Sequence, residues 1–269
     1  MYRIWTGCKE ISQVPVADRG LMFGDGFFTT MAVRNGQIHC FELHCQRIRN
    51  CANQLSINLS YDFLLQQLLC YASAIKQGGL KLIITRGQGG QGYQPSSDSE
   101  SLSILSDFLI PEHYTVWQKQ GIRTTLAKTK LAVGNIYNRL KTLNRLEQVA
   151  LKQELFQYPD TDDLIVCDHR GYLTEAIAAN IFWRKGNDIF TPDLSWAGIE
   201  GVMRSNVLKL LKQLNIHVYF GQYTPEELND ADEIFLTNSL MPIIPVHCFN
   251  AQNYSDFSIS QLLLQQMGF

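Results

Sequence analysis

Tight-turn sequences recur between short β-prone runs along this chain. Asn35-Gly36 follows a run at residues 27–33, and Lys185-Gly186-Asn187 separates two further runs. Such turns join antiparallel strands. Amphipathic helices are indicated between the runs, for example from Phe41 to about Leu55. A chain that alternates hairpins with helices is confined to a mixed fold, so we predict an α+β or α/β architecture.

The length of the chain favours two lobes. At 269 residues it exceeds the usual size of a single compact domain. Pro111-Glu112-His113 is the best linker candidate, because proline ends regular structure. We therefore predict an N-terminal α/β domain at residues 1–110, a linker at residues 111–116 and a C-terminal domain at residues 117–269.

Composition excludes several classes of function. The formal net charge of -2 gives no electrostatic basis for binding nucleic acid or an anionic membrane surface. No apolar run reaches membrane-spanning length, and residues 1–10 have no signal-peptide pattern. The seven cysteines are an odd number and form no CxxC pair, which is typical of a reducing compartment and does not favour a metal site. We predict a cytoplasmic protein without a metal.

Lys141 lies just before a helix predicted to run to about Phe156. Asn144 and Glu147 have the spacing of a capping box, in which each side chain binds the backbone of the other residue. A lysine on a short connection to a rigid element suits a reaction that needs a fixed amine. A solvated loop lysine is the alternative interpretation of the same stretch.

Three other features have a chemical and a structural interpretation. Arg47 shares a helix face with His44, where it either meets an anion or is solvated. Glu175 ends a strand before an apolar run, where it needs a partner or lies at the surface. Residues 198–201 lead into a helix and offer free backbone N–H groups, as every helix start does. Together with a lysine, these groups meet the requirements of a phosphorylated pyridine aldehyde.

The same residues lie in longer motifs that resemble the fold-type IV pyridoxal-phosphate enzymes, the family of branched-chain and D-amino acid aminotransferases. The resemblance covers nearly the whole chain, with its motifs in the family's order. They are residues 18–20, 23–30, 44–47, 85–93, 141–148, 174–175, 180–182, 198–204 and 238–242.

The resemblance implies the fold, the cofactor and the site. It implies a smaller N-terminal α/β lobe, a larger C-terminal lobe with a mixed sheet, and a homodimer. Lys141 is implied to be catalytic and to hold pyridoxal 5'-phosphate as a Schiff base. The implied cofactor-binding residues are Arg47, Lys141, Glu175, Ile199, Glu200 and Ser239. The implied substrate-binding residues are Phe28, Thr30, Arg86, Tyr93, Arg145 and Asn238.

The activity implied by the resemblance is that of a lyase. Its small-molecule substrate is 4-amino-4-deoxychorismate, and its products are 4-aminobenzoate and pyruvate, in folate biosynthesis. A D-amino acid or branched-chain aminotransferase is the alternative. The carboxylate-binding residues of the D-amino acid enzymes align with Phe28, Gln91 and Tyr93, and all three differ here. Related lyases often have arginine at Gln91, so Arg86 or Arg145 is expected to take its place. A catalytically silent relative is a third interpretation, disfavoured by the intact lysine.

Overall fold

The computed structural model describes residues 2–268, and the chain divides into two compact units. The first unit contains the chain up to Ile110 together with Leu140–Asn144. The second contains Pro111–Arg139 and the chain from Arg145 onward. The predicted domain division at residues 110, 116 and 117 stays a prediction. None of the helices in the described part of the chain has both the length and the apolar character that crossing a membrane requires.

The first unit is a six-stranded antiparallel sheet with helices. Its elements are β1 (Tyr2–Thr6), β2 (Lys9–Ile11), α1 (Arg19–Phe23), β3 (Gly26–Arg34), β4 (Gln37–Ile38), α2 (Phe41–Gln54), α3 (Tyr61–Ser73), β5 (Gln77–Thr85) and β6 (Leu102–Phe108). The strand order is β2-β1-β6-β5-β3-β4. Side chains of β3 alternate, so that Phe27, Thr29 and Met31 are buried while Phe28 and Thr30 are half-buried on the opposite face.

The second unit is built on a nine-stranded mixed sheet. Its elements are α4 (His113–Gln120), β7 (Ile122–Leu126), α5 (Leu146–Leu155), β8 (Asp163–Cys167), β9 (Leu173–Ala176), β10 (Asn180–Lys185), β11 (Asp188–Pro192), α6 (Val202–Gln213), β12 (Val218–Gly221), a 3-10 turn (Pro225–Leu228), β13 (Glu233–Thr237), β14 (Ile244–Phe249), β15 (Gln252–Asn253) and α7 (Ser258–Gln266). The order is β12-β11-β10-β13-β14-β7-β8-β9, and β15 pairs with β14.

The predicted mixed fold is confirmed, and so are its hairpins. Asn35 and Gly36 both have positive φ, at 49° and 78°, as a two-residue hairpin turn requires. Two helices were missed, the five-residue α1 and α4, and α4 begins inside the stretch interpreted as linker. Helix α4 has no side-chain cap, and its aromatic residues favour helix weakly. Tyr114 and Trp117 stack on each other and pack against the apolar core of the second unit, so tertiary packing stabilises this helix.

A buried histidine connects α2 to β3 within the first unit. His44 is 1% exposed, and its Nδ1 lies 2.7 Å from Thr29 Oγ1. Burial, followed by the positive charge of Arg47, lowers the pKa of the imidazole to about 3. The ordinary pKa is 6.5, so the unfolded chain takes up this proton first as the pH falls. The stabilising effect of the neutral imidazole is therefore complete above pH 6.5 and is lost progressively toward pH 3.

We expect His44→Gln to weaken this pH dependence. The slope of the unfolding free energy against pH should fall by about 1.4 kcal/mol per pH unit between about pH 6 and about pH 4. Denaturant unfolding across that range measures the slope, and His217→Gln, at an exposed position, is the control. A slope equal to that of the wild type would contradict the assignment.

Candidate active site

Lys141 is held by backbone pairing with a strand. The segment Leu140–Asn144 runs alongside the first residues of β3, within the first unit. The Phe28 N–H donates to the Lys141 carbonyl at 3.0 Å, and the Leu143 N–H donates to the Gly26 carbonyl at 3.0 Å. These bonds leave the Lys141 backbone little freedom, as in a short strand added to a sheet.

The capping box predicted at this segment is wrong. Helix α5 begins without a side-chain cap. Asn144 Nδ2 instead donates to the Gly24 carbonyl at 3.1 Å, and Glu147 Oε1 accepts the Ala132 N–H at 2.8 Å. Both side chains bind partners that are distant in sequence, and local spacing does not reveal such partners. The rigid element next to Lys141 is therefore β3.

The side chains of Lys141 and Lys81 lie near the same aromatic ring. Lys141 Nζ is 4.8 Å from the centroid of the Phe28 ring, and Lys81 Nζ is 5.0 Å from the same ring. Thr30 pairs with Lys81 across β3 and β5. The structure thus brings together three predicted site residues, Phe28, Thr30 and Lys141. Lys81 was missed, although it is the single charged residue in the apolar β5 run and the alternation of the strand indicates its face.

Arg47 and Lys141 both act on one buried thiol. Cys51 lies one helical turn after Arg47 on α2. Burial raises the pKa of the Cys51 thiol, while the charge of Arg47 and a hydrogen bond from the Lys141 backbone oppose that rise. The first unit therefore places the Arg47 guanidinium and the Lys141 backbone near the same thiol.

Glu175 is a buried carboxylate in the second unit. It lies on β9, is 4% exposed, and accepts the Ile199 N–H at 2.8 Å through Oε2. Burial lowers the pKa of the nearby Arg145 guanidinium, and the charge of Glu175 opposes that decrease. A positive charge and a backbone donor therefore offset part of the cost of burying this carboxylate.

The loop before α6, residues 198–201, was expected to offer free backbone N–H groups, but those of Ile199 and Glu200 are both bonded. The Ile199 N–H binds Glu175, and the Glu200 N–H donates to the Arg139 carbonyl at 3.1 Å. That expectation is wrong, because tertiary partners satisfy both groups. The first turn of α6 still presents N–H groups that have no partner within a helix. The role of Ile199 and Glu200 toward a phosphate stays a prediction.

Asn180 fixes this loop and was not among the predicted site residues. Its Nδ2 donates to the Ile199 carbonyl at 2.8 Å, and its Oδ1 accepts the Gly201 N–H at 3.1 Å. A Cβ on Gly201 would overlap with Asn180 Oδ1. A polar residue at the start of the buried strand β10 was the available signal, since a buried amide needs hydrogen-bond partners.

Two predicted substrate residues lie near the glycine-rich loop. Arg86 makes four hydrogen bonds, two to Asp25 and one each to the carbonyls of Leu55 and Ser56, at 2.7–3.0 Å. These contacts occupy most of its donors. Tyr93 is 87% exposed. The structure thus places Arg86 in a structural network and Tyr93 at the surface.

Asn238 and Ser239 lie in the turn that follows β13. Asn238 Oδ1 accepts the N–H groups of Leu240 and Met241 at 2.9 and 2.8 Å, and its Nδ2 donates to the Ala178 carbonyl at 3.2 Å. The amide of Asn238 thus stabilises the turn, in which Ser239 is half-buried. Their roles toward cofactor and substrate stay predictions.

Comparison with known proteins identifies the class. Residues 26–249 match the family model described as "Amino-transferase class IV", so the chain belongs to the class IV aminotransferase family. An aminodeoxychorismate lyase of Vibrio harveyi is 32% identical over 98% of this chain and 98% of its own length. A putative branched-chain-amino-acid aminotransferase of Methanocaldococcus jannaschii is 28% identical over 88% of this chain and 83% of its own.

A solved structure agrees with these relatives. The crystal structure of 4-amino-4-deoxychorismate lyase from Pseudomonas aeruginosa superposes with a TM-score of 0.92 at 31% identity. The match covers 98% of this chain and 97% of that one. The two-lobed fold predicted from the sequence is therefore the fold of this family.

We expect Gly201→Ala and Asn180→Ala to destabilise the second unit through the same contact. Each should lower the unfolding free energy by about 1–3 kcal/mol. The Cβ added in Gly201→Ala displaces the Asn180 side-chain amide, and Asn180→Ala removes that amide. The double variant should lose less than the sum of the two, as measured by thermal or denaturant unfolding. Fully additive losses would show that the two residues act separately.

Proposed function

We propose that this protein is a pyridoxal 5'-phosphate-dependent lyase that converts 4-amino-4-deoxychorismate to 4-aminobenzoate and pyruvate, a step of folate biosynthesis. The observation that carries the proposal is the 32% identity to the Vibrio harveyi lyase, which extends over 98% of both chains. The TM-score of 0.92 to the Pseudomonas aeruginosa lyase supports it.

The donor groups present suit this cofactor. A primary amine, a guanidinium and a buried carboxylate match its aldehyde, phosphate and pyridine nitrogen. When bound, pyridoxal phosphate withdraws electrons from the substrate carbon that carries the amine. The residues that we propose hold it are Arg47, Lys141, Glu175, Ile199, Glu200 and Ser239.

Lys141 is the proposed catalytic residue. Its Nζ would hold the cofactor through the aldehyde carbon, and a substrate amine that takes this place would free the lysine amine. The released amine then removes the proton from the amine-bearing carbon of the substrate and later returns a proton. The pairing of its backbone with β3 supports this role, because proton transfer needs an amine held at a constant position.

Glu175 is proposed to keep the pyridine nitrogen protonated. Its burial disfavours a bare charge, whereas Arg145 and the Ile199 N–H favour the anionic form. An anionic carboxylate at that nitrogen strengthens the electron withdrawal by the ring. The carboxylate therefore acts through the cofactor.

We propose that Lys81 binds substrate, in addition to the predicted residues Phe28, Thr30, Tyr93, Arg145 and Asn238. The substrate carries carboxylates, and Gln91 offers them no charge. Arg86 is occupied by Asp25 and backbone carbonyls, which weakens its candidacy. The ammonium of Lys81, by contrast, contacts the same ring as Lys141.

An aminotransferase is the second candidate function. A D-alanine aminotransferase of Bacillus licheniformis is 28% identical over 89% of this chain, so the family alone does not separate the two reactions. An aminotransferase must grip a carboxylate on the amine-bearing carbon, and the residues at Phe28, Gln91 and Tyr93 do not suit that task. The lyase substrate has no carboxylate there.

We further propose a cytoplasmic homodimer. Leu146 and Val149 on α5 and Phe156 directly after it follow helical spacing and are exposed, which is typical of an interaction face. The seven cysteines are all free thiols, consistent with a reducing compartment.

We expect Lys141→Ala to lose both cofactor absorbance and turnover. The wild type should absorb in the near-visible and bleach with borohydride, and it should release pyruvate with 4-aminobenzoate. Turnover in the variant should fall by about 10²–10⁴-fold, because the proton-transfer group is gone. Lys119→Ala, at an exposed position on α4, is the control. A coloured, active Lys141→Ala would refute the assignment.

We expect Lys81→Met to raise KM by about tenfold and to change kcat by less than about threefold. The reason is that a charge attracting the substrate carboxylates contributes to binding before and during the reaction alike. Lys76→Met, at an exposed position just before β5, is the matched control. Steady-state kinetics with pyruvate detection measure both constants, and an unchanged KM would remove Lys81 from the site.

A further inference from the structure

Arg19 binds the backbone of the glycine-rich loop, residues 87–93. Its side chain is buried, with 5% exposed. Nη1 donates to the carbonyls of Gly92 and Gly89 at 3.0 and 3.4 Å, and Nη2 donates to the Tyr93 carbonyl at 3.0 Å. The planar fork of a guanidinium can bind several carbonyls at once, which a lysine ammonium does less well.

Asp25 fixes the orientation of this guanidinium. Arg19 Nε donates to Asp25 Oδ2 at 3.0 Å, and Arg86 Nε donates to the same oxygen at 2.7 Å. Burial raises the pKa of the Asp25 carboxyl, but hydrogen bonds from Arg86 and Arg19 outweigh it and hold the pKa below its ordinary value. Arg19 binds the loop, whereas Arg86 binds the carbonyls of Leu55 and Ser56, which follow α2.

The loop needs external anchors because glycines give it conformational freedom. Gly90 has φ of +87°, and a Cβ there would overlap with the Gln94 carbonyl. At the end of the loop, Gln91 and Gln94, the residue that follows the loop, exchange two backbone hydrogen bonds at 3.0 and 3.1 Å. A four-residue turn of this kind does not set the position of the whole loop, since glycines populate many conformations.

Arg19 also supports the aromatic ring at the end of the loop. Its guanidinium carbon lies 4.9 Å from the centroid of the Phe23 ring, and that ring lies 5.4 Å from the Tyr93 ring. One buried cation therefore binds the Tyr93 backbone and supports the ring against which Tyr93 packs. The exposed tyrosine is thereby presented in a defined position.

We propose that Arg19 is a positioning residue for the substrate: it holds the loop in one conformation, and in that conformation the loop contacts bound substrate. The second half rests on the proposed function, in which Tyr93 is a substrate residue. Arg19 itself touches no substrate and acts through the loop.

Hydrogen exchange of the peptide covering residues 87–95 tests the first half. Arg19→Lys keeps a positive charge beside Asp25 but loses the fork, so exchange in this peptide should become about tenfold faster or more. Arg49→Lys, at an exposed position on α2 outside this network, is the control, and exchange in the same peptide should match the wild type. Equal protection in Arg19→Lys and wild type would overturn the proposal.

Kinetics test the second half. Arg19→Lys should raise KM by about tenfold while kcat changes by less than about threefold, because a loosened loop weakens binding without removing a reacting group. Gly90→Ala displaces the loop while leaving Arg19 intact, so it should raise KM too, and the double variant should show less than the product of both effects. An unchanged KM in Arg19→Lys, or full multiplicativity in the double variant, would refute action through the loop.

The proposal for Arg19 and the proposed lyase function can fail independently of each other. The exchange experiment needs no substrate, so a wild type without turnover of 4-amino-4-deoxychorismate would defeat the proposed function alone. If Arg19→Lys does not fold, Asp25→Asn removes the charge that orients the Arg19 guanidinium, and unchanged exchange in the same peptide would then overturn the proposal. Faster exchange in Gly90→Ala with an unchanged KM would show that the loop does not contact substrate.

Discussion

Two backbone hydrogen bonds between β3 and the segment Leu140–Asn144 are the constraint on which the proposed chemistry depends. A lysine side chain has four rotatable bonds, so its amine is only as well placed as its backbone and the groups around its stem. Here the strand fixes the backbone, and the Phe28 ring on that same strand lies beside the ammonium. Because Phe28 donates one of the two bonds, the residue that lies beside the amine also anchors it.

Buried polar residues perform the corresponding task at the loop that precedes α6. Asn180 and Glu175 bind the backbone of residues 199–201 from two sides, and each would be costly to bury without these bonds. A loop held in this way is rigid without belonging to a strand or helix. The network of Arg19, Asp25 and Arg86 also stabilises a loop through buried polar groups. Its charges are paired with one another, and Arg19 binds loop carbonyls as well.

Prediction succeeded where short-range patterns decide structure. Alternating side chains and the Asn35-Gly36 turn predicted the β3 hairpin, and helical spacing predicted α2, because these elements follow from neighbouring residues. It failed, for example, for the capping box at Asn144 and for α4. In the first case Gly24 recruits the Asn144 side chain, and in the second Tyr114 and Trp117 gain stability from the core of the second unit. Helix propensity, which depends on neighbouring residues, predicts neither of these tertiary contacts.

The sequence by itself determined the mixed fold, the class IV motifs and the identity of the reactive groups, since chemical character belongs to the side chain. Tertiary structure decided which partners those groups have. It committed Arg86 to Asp25, brought Lys81 to the Phe28 ring, and engaged the N–H groups of residues 199 and 200. The physical reason is that hydrogen bonds and charge pairs join residues far apart in the chain, so their pattern exists only once the strands have paired.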